Sequence, residues 1–174
     1  PQTEMGHITE AVTRLALAYP QVHFTLQHGG RLVHDLPPVS STRDRVAALH
    51  GSDIADSLIP IDSADEHVRL SGFVANPTQS RSNNRLQYLF LNGRFIRDRA
   101  LQHALGEAYR GLLLTGRYPI CFLHLDISPD MVDVNVHPTK MEVRFQEGGR
   151  IYSQLLGSLR SKFLTTDLVA RGTI

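Results

Sequence analysis

The 174-residue chain is short of three things: it has one cysteine, two lysines and no long apolar run. A lone thiol, Cys121, cannot close an intramolecular disulfide, so the chain fits a reducing compartment. Its apolar surroundings, PICFLHLDI (119–127), predict a small buried hydrophobe in a strand. No uninterrupted apolar segment approaches the ~18–20 residues that a membrane-spanning helix needs. The start also lacks the basic-then-apolar pattern and small-residue cleavage site of a secretory signal. Nine histidines are present, yet no two stand at H-x-x-x-H spacing and no C-x-x-C exists, so no metal site is expected. Nor is there a G-x-x-x-x-G-K-[ST], G-x-G-x-x-G or D-x-G-x-G, which argues against a self-contained nucleotide pocket.

What is present is ordinary for a globular protein: 41% hydrophobic and 20% charged residues, with a net charge of +1. That small sum conceals a polarised distribution. Residues 51–68 carry five acids (Asp53, Asp56, Asp62, Asp65, Glu66) and no Lys or Arg. Residues 81–110 carry six arginines against Asp98 and Glu107 alone. Such asymmetry allows a polyanion to meet one face without requiring it, since charge blocks are also ordinary solvated surface.

Apolar spacing predicts a helix over 3–19, with Thr3 as cap and Pro20 as stop. Two strands follow, 22–27 and 31–36, joined through Gly29 and Gly30, and then a short helix over 44–50 closed by Gly51. HVRLSGFVA (67–75) alternates like a half-buried strand, and the polar segment 76–85 reads as a mobile loop. LQYLFL (86–91), the turn signal of Asn92 and Gly93, and FIR (95–97) form a hairpin. Asp98 then caps a helix whose apolar face is Leu101, Ala104, Leu105, Ala108 and Leu112. Residues 119–127 suit a central strand, VDVNV (132–136) and MEVRF (141–145) short strands, and Ile151, Leu155 and Leu159 the face of a last helix. This mixture without regular βαβ alternation indicates α+β: one mixed β-sheet with helices packed on one face. Residues 1–164 are expected to form one domain, and 165–174 a tail or the start of a linker. The abrupt opening at Pro1 suggests a piece of something longer.

Two places could carry chemistry. Lys140 sits in the Pro-containing loop HPTK between two strands, in a chain that otherwise prefers arginine. A compact ammonium on a flexible stem suits a terminal phosphate, although a solvated loop lysine has the same sequence signature. Asp133, Asn135 and His137 alternate along the preceding strand and with Pro138 can shape the loop through hydrogen bonds to its amides. The run NGRFIRDR (92–99) places Arg94, Arg97 and Arg99 between a hairpin and a helix N-terminus, where amides and guanidinium groups suit phosphate contacts.

VDVNVHPTKMEVRF (132–145) resembles the most characteristic stretch of the MutL family of DNA mismatch repair proteins, and FLNGRFIRDR (90–99) resembles a second. The likeness extends from about Gly6 to Leu164. It implies the second, transducer domain of the ATPase region, with a ribosomal protein S5 domain 2-like fold. Lys140 resembles the family lysine that reaches the γ-phosphate of ATP in a neighbouring GHKL ATPase domain. Arg99 resembles the family arginine implicated in DNA binding, with Arg94 and Arg97 as accessories. The implied cofactor of the full-length protein is ATP with Mg2+. The implied partners are DNA, the GHKL domain of the same chain, a MutS-type mismatch recognition protein, and a second copy in a homodimer. A cytoplasmic, nucleoid-associated location is expected, and the fragment alone should be no enzyme. Two other classes compete: a free-standing nucleic-acid-binding module of the same fold, and a hydrolase using Asp126, Ser128 or His137, which lack triad spacing.

Overall fold

The computed structural model describes residues 2–133, 144–145, 147–166 and 168. The chain divides into two compact units, Pro1–Asp56 and Ser57–Ile174.

In the first unit, helix α1 (Gln2–Ala18) is followed by the antiparallel hairpin β1 (Phe24–His28) and β2 (Arg31–Leu36). Thr3 lies inside α1 instead of capping it, because the helix already begins at Gln2. Helix α2 (Thr42–His50) starts where the Ser41 hydroxyl accepts from the Asp44 amide, and ends at Gly51, whose amide returns to the Ala47 carbonyl. A one-turn helix, α3 (Ser52–Asp56), completes the unit. Its least expected feature is Arg45, fully buried and without a carboxylate partner among the described residues. Its Nη2 donates to the carbonyls of Pro20, Val22 and Pro37 at 2.6, 2.9 and 3.0 Å. Burial lowers the pKa of this guanidinium.

The second unit is built on a five-stranded sheet in the order β3-β4-β7-β5-β6. Its strands are β3 (Leu58–Ala64), β4 (Val68–Ala75), β5 (Gln87–Leu91), β6 (Arg94–Ile96) and β7 (Cys121–Ile127). Neighbours are antiparallel except β5 and β7, which run parallel, with Gln87 opposite Cys121 and Leu91 opposite Leu125. Between those two strands the chain makes β6 and helix α4 (Arg99–Ala108), as a parallel pair requires a crossover. After β7 come a 3-10 turn (Pro129–Met131) and the two-residue pair β8 (Val132–Asp133) and β9 (Arg144–Phe145). Helix α5 (Gly148–Thr165) closes the unit.

One face of the sheet is aliphatic. Leu70, Leu89, Leu123 and Leu125 meet Leu101, Ala104 and Leu105 of α4, and Ile151, Leu155 and Leu159 of α5, in one core. Each such leucine contributes roughly 1.5–3 kcal/mol on burial. Tyr109, just beyond α4, packs edge-on against Phe163 and donates its hydroxyl to the Ala75 carbonyl. The other face is aromatic: the rings of Tyr88 and Phe122 stack 5.7 Å apart, and those of Phe90 and His124 5.0 Å apart. Desolvation there lowers the pKa of His124, with the nearby Asp126 opposing it. This is the α+β arrangement expected, a mixed sheet with α4 and α5 on one face. Cys121 is a buried strand residue, and desolvation pushes its thiol up to about 12, so it is chemically quiet.

Three local expectations change. Strand β3 is an element the sequence reading does not include; it holds Pro60, and as an edge strand it is the place where a missing N–H does no harm. The 76–85 loop is tied down: the Asn76 side chain accepts from the Thr78 amide, and Arg81 forms an antiparallel bridge with Tyr118. Leu112 lies beyond α4, which ends at Ala108, and its side chain is exposed. Among the described residues no helix is long and apolar enough to cross a membrane.

Candidate nucleic-acid interface

The 92–99 segment owes its shape to one side chain. Asn92 takes a left-handed conformation (φ 49°) and Gly93 follows at φ 83°, the pair of positive angles that a two-residue hairpin turn demands. Asparagine does more here than tolerate the angle. Its Nδ2 donates to the Ile127 carbonyl at 3.0 Å and its Oδ1 accepts from the Ile127 amide at 2.9 Å. The amide group thereby extends the β5–β7 ladder by one residue and fixes the turn against the end of β7.

From that anchored turn the arginines follow. Arg94 begins β6, the strand at one edge of the sheet, and is exposed. The Arg97 guanidinium lies 5.7 Å from the centre of the Phe95 ring, an orientation that leaves its charge at the surface. Arg99 is the first residue of α4 and is exposed. None of the three has a carboxylate partner among the described residues. The α4 N-terminus is less available to an anion than its amides alone suggest. The Asp98 carboxylate already accepts from the Leu101 amide at 2.9 Å, so affinity for phosphate here rests on the guanidinium groups.

The opposite edge of the sheet is electrostatically closed. Asp62 of β3 pairs with Arg69 at 3.4 Å, and Asp65 pairs with Arg150 at 3.3 Å. The Asp65 carboxylate also accepts from the amides of His67 and Val68, and these bonds first, with Arg150 as a smaller contribution, hold its pKa low. Acids and arginines are thus matched at β3, whereas β6 and the start of α4 carry unmatched positive charge.

Strand β8, which precedes residues 134–143, follows closely on the same end of the sheet. Asn92 is bonded to Ile127, and only Ser128 and the turn Pro129–Met131 separate Ile127 from β8. Val132 pairs with Phe145 and Asp133 with Arg144, so the residues flanking 134–143 are held together. Asn135, His137, Pro138 and Lys140 themselves lie outside the described residues, as does the rest of the expected 132–136 strand. Asp133 is placed through its backbone only. Of the residues considered for a hydrolase, Asp126 is exposed on β7 and Ser128 follows that strand, while His137 is outside the described residues.

Known proteins identify the family and the fold. The model of the family described as "DNA mismatch repair protein, C-terminal domain" matches residues 46–164. The chain belongs to the MutL family of DNA mismatch repair proteins. It is 45% identical over 170 residues to the DNA mismatch repair protein MutL of Geobacter sulfurreducens, covering 98% of this chain and 28% of that protein. The chain therefore spans little more than a quarter of that relative's length. Among solved structures, the N-terminal domain of a DNA repair protein aligns with TM-score 0.77 at 17% identity, over 93% of this chain and 54% of that one. The Aquifex aeolicus MutL ATPase domain complexed with ADP aligns with TM-score 0.52 at 23% identity, over 74% and 44%. At these identities the structures speak for the fold, and they agree with an S5 domain 2-like MutL architecture.

Sequence reasoning put the three arginines between a hairpin and a helix N-terminus, and in the structure all three are exposed there. It missed Arg45 and the second anchoring role of Asn92. The Asn-Gly pair signals the turn, but nothing local announces a partner 35 residues away.

Proposed function

We propose that this chain is the transducer part of a MutL mismatch repair ATPase, with DNA contact through the 92–99 edge and ATP sensing through Lys140. The observation that carries the DNA half is the contrast between the two sheet edges, one with its acids and arginines paired, the other with Arg94, Arg97 and Arg99 exposed and unmatched. Arg99 is the principal contact, with Arg94 and Arg97 beside it. Contacts between guanidinium groups and phosphates are independent of base sequence, which suits repair wherever a mismatch falls.

The ATP half rests on family membership and on the HPTK motif. In this reading Lys140 reaches the γ-phosphate of ATP, held with Mg2+ by a GHKL ATPase domain of the same chain, and Pro138 with Asp133, Asn135 and His137 shapes its loop. A contact that exists with triphosphate and disappears with diphosphate shifts a conformational equilibrium, which is what a transducer must do. The fragment alone hydrolyses nothing. The full-length protein works as a homodimer and answers to a MutS-type partner.

The DNA half is tested by titrating a labelled duplex with the full-length protein at several salt concentrations. Arg99→Glu is expected to flatten the slope of log K against log salt by about 0.9, the value of one phosphate contact. An unaltered slope moves the DNA surface elsewhere.

A further inference from the structure

Two loops meet at the end of the sheet opposite the 92–94 turn. Residues 76–86 connect β4 to β5, and residues 109–120 connect α4 to β7. They are joined by a bridge in which the Arg81 amide donates to the Tyr118 carbonyl at 3.0 Å and the Tyr118 amide to the Arg81 carbonyl at 2.7 Å. Beside the bridge, one residue gathers two cations. Arg81 Nη1 and Arg117 Nη2 both donate to the Ser80 carbonyl oxygen, at 3.0 and 2.9 Å, and Arg117 Nε donates to Ser80 Oγ at 2.9 Å.

Two guanidinium groups on one carbonyl oxygen repel each other, and a carbonyl carries no net charge to offset them. No acid is at hand: residues 76–86 and 109–119 hold Arg81, Arg85, Arg110 and Arg117 and no Asp or Glu. Arg110 is paired with Glu107 at 2.9 Å, whereas Arg81 and Arg117 have no carboxylate partner among the described residues. Each guanidinium has five N–H donors, of which Arg117 uses two kinds of nitrogen on Ser80 and Arg81 one, so donors remain for a further acceptor. The acceptor such a pair suits is a tetrahedral oxyanion that can take forked bonds from both.

We infer that Arg81 and Arg117, held side by side on Ser80, form a second phosphate-binding site, and that the phosphate is part of a nucleic-acid backbone. The site is open, with Arg117 exposed and Arg81 half-buried, and Tyr118, which follows Arg117 and bridges to Arg81 through its backbone, is 42% exposed. An open site with an exposed tyrosine in the adjoining loop fits a phosphate carried on a polymer better than a free ion, which needs enclosure to be held. The choice of nucleic acid as the source rests on the proposed function; the two-arginine geometry does not.

The test uses the full-length protein and a labelled duplex. The double variant Arg81→Gln/Arg117→Gln is expected to flatten the salt slope by about 1.8, additively with Arg99→Glu. Arg81→Lys/Arg117→Lys, which keeps both charges, is expected to retain most of the slope. An unchanged slope in the Gln pair, while Arg99→Glu still lowers it, overturns the inference and leaves the proposed function standing. The reverse result, with Arg99 inert and the Gln pair effective, overturns the Arg99 assignment alone. Equal loss in the Gln and Lys pairs assigns these arginines to loop structure and overturns the site. Calorimetric titration with inorganic phosphate separates the sources. Binding that the Gln pair abolishes without altering the DNA slope makes this a free-phosphate site and overturns the nucleic-acid assignment.

Discussion

Replacing Gly72 with alanine is expected to destabilise the unit Ser57–Ile174 by about 2–6 kcal/mol, the sum of a strained backbone and an overpacked sheet. Gly72 lies in the middle of β4 with φ +119°, an angle that side chains other than hydrogen rarely accept. It is paired with Ile61 on one side and Leu123 on the other, so β4 cannot move away from either neighbour without breaking a ladder. A Cβ there would be driven into the Phe122 carbonyl oxygen, with Leu123 Cα and the Phe122 carbonyl carbon next, at 3.1 and 3.2 Å. These are backbone atoms of the central strand and cannot rotate aside. Denaturant unfolding of the chain measures the effect, and a loss below about 1 kcal/mol would mean that β4 does not take this conformation.

The second large effect is expected at Arg45. Two opposing terms decide its sign. Removing a buried cation relieves a desolvation cost, which is why some buried ion pairs can be replaced by hydrophobes without loss. Here, however, the partners are the fixed backbone carbonyls of Pro20, Val22 and Pro37, which no substitution removes. The Pro20 carbonyl keeps the Val39 amide at 2.9 Å, so two carbonyls, those of Val22 and Pro37, are orphaned, and at about 1–3 kcal/mol each their loss outweighs the relief. Arg45→Met, close in length and free of charge, is therefore expected to destabilise Pro1–Asp56 by about 3 kcal/mol. Hydrogen exchange of β1 and β2 amides checks it: protection should fall by roughly 100-fold, the equivalent of that energy. Unchanged protection would show that the carbonyls find other donors.

Arg45 also shows where sequence reading stops. Features set by neighbours in the chain were legible: Gly51 as a cap, Asn92 with Gly93 as a turn, Asp98 as the cap of α4, and the i, i+3, i+4 face of Leu101, Ala104, Leu105 and Ala108. Features set by distant parts were not. An arginine in a short helix reads as surface until the three carbonyls that enclose it are known. Pro60 reads as a strand breaker until β3 is known to be an edge. Ser80 reads as loop until Arg117, 37 residues on, is found bonded to it. The site divides the same way. The exposed arginines of 92–99 and the Asp98 cap beside them follow from local pattern, while the bonding of Asn92 to Ile127 that anchors their turn does not. The weight given to Lys140 came from family likeness, because its local chemistry is equally that of a solvated lysine.

That residue carries the central claim, and steady-state ATP turnover by the full-length protein tests it most directly. Lys140→Ala is expected to lower turnover by about 100-fold, the scale of removing one preorganised charge from a phosphate site. Circular dichroism and the unfolding midpoint of Ser57–Ile174 should stay at their original values. Turnover equal to that of the unaltered protein would contradict the account, leaving the chain a MutL-family unit with no part in sensing ATP.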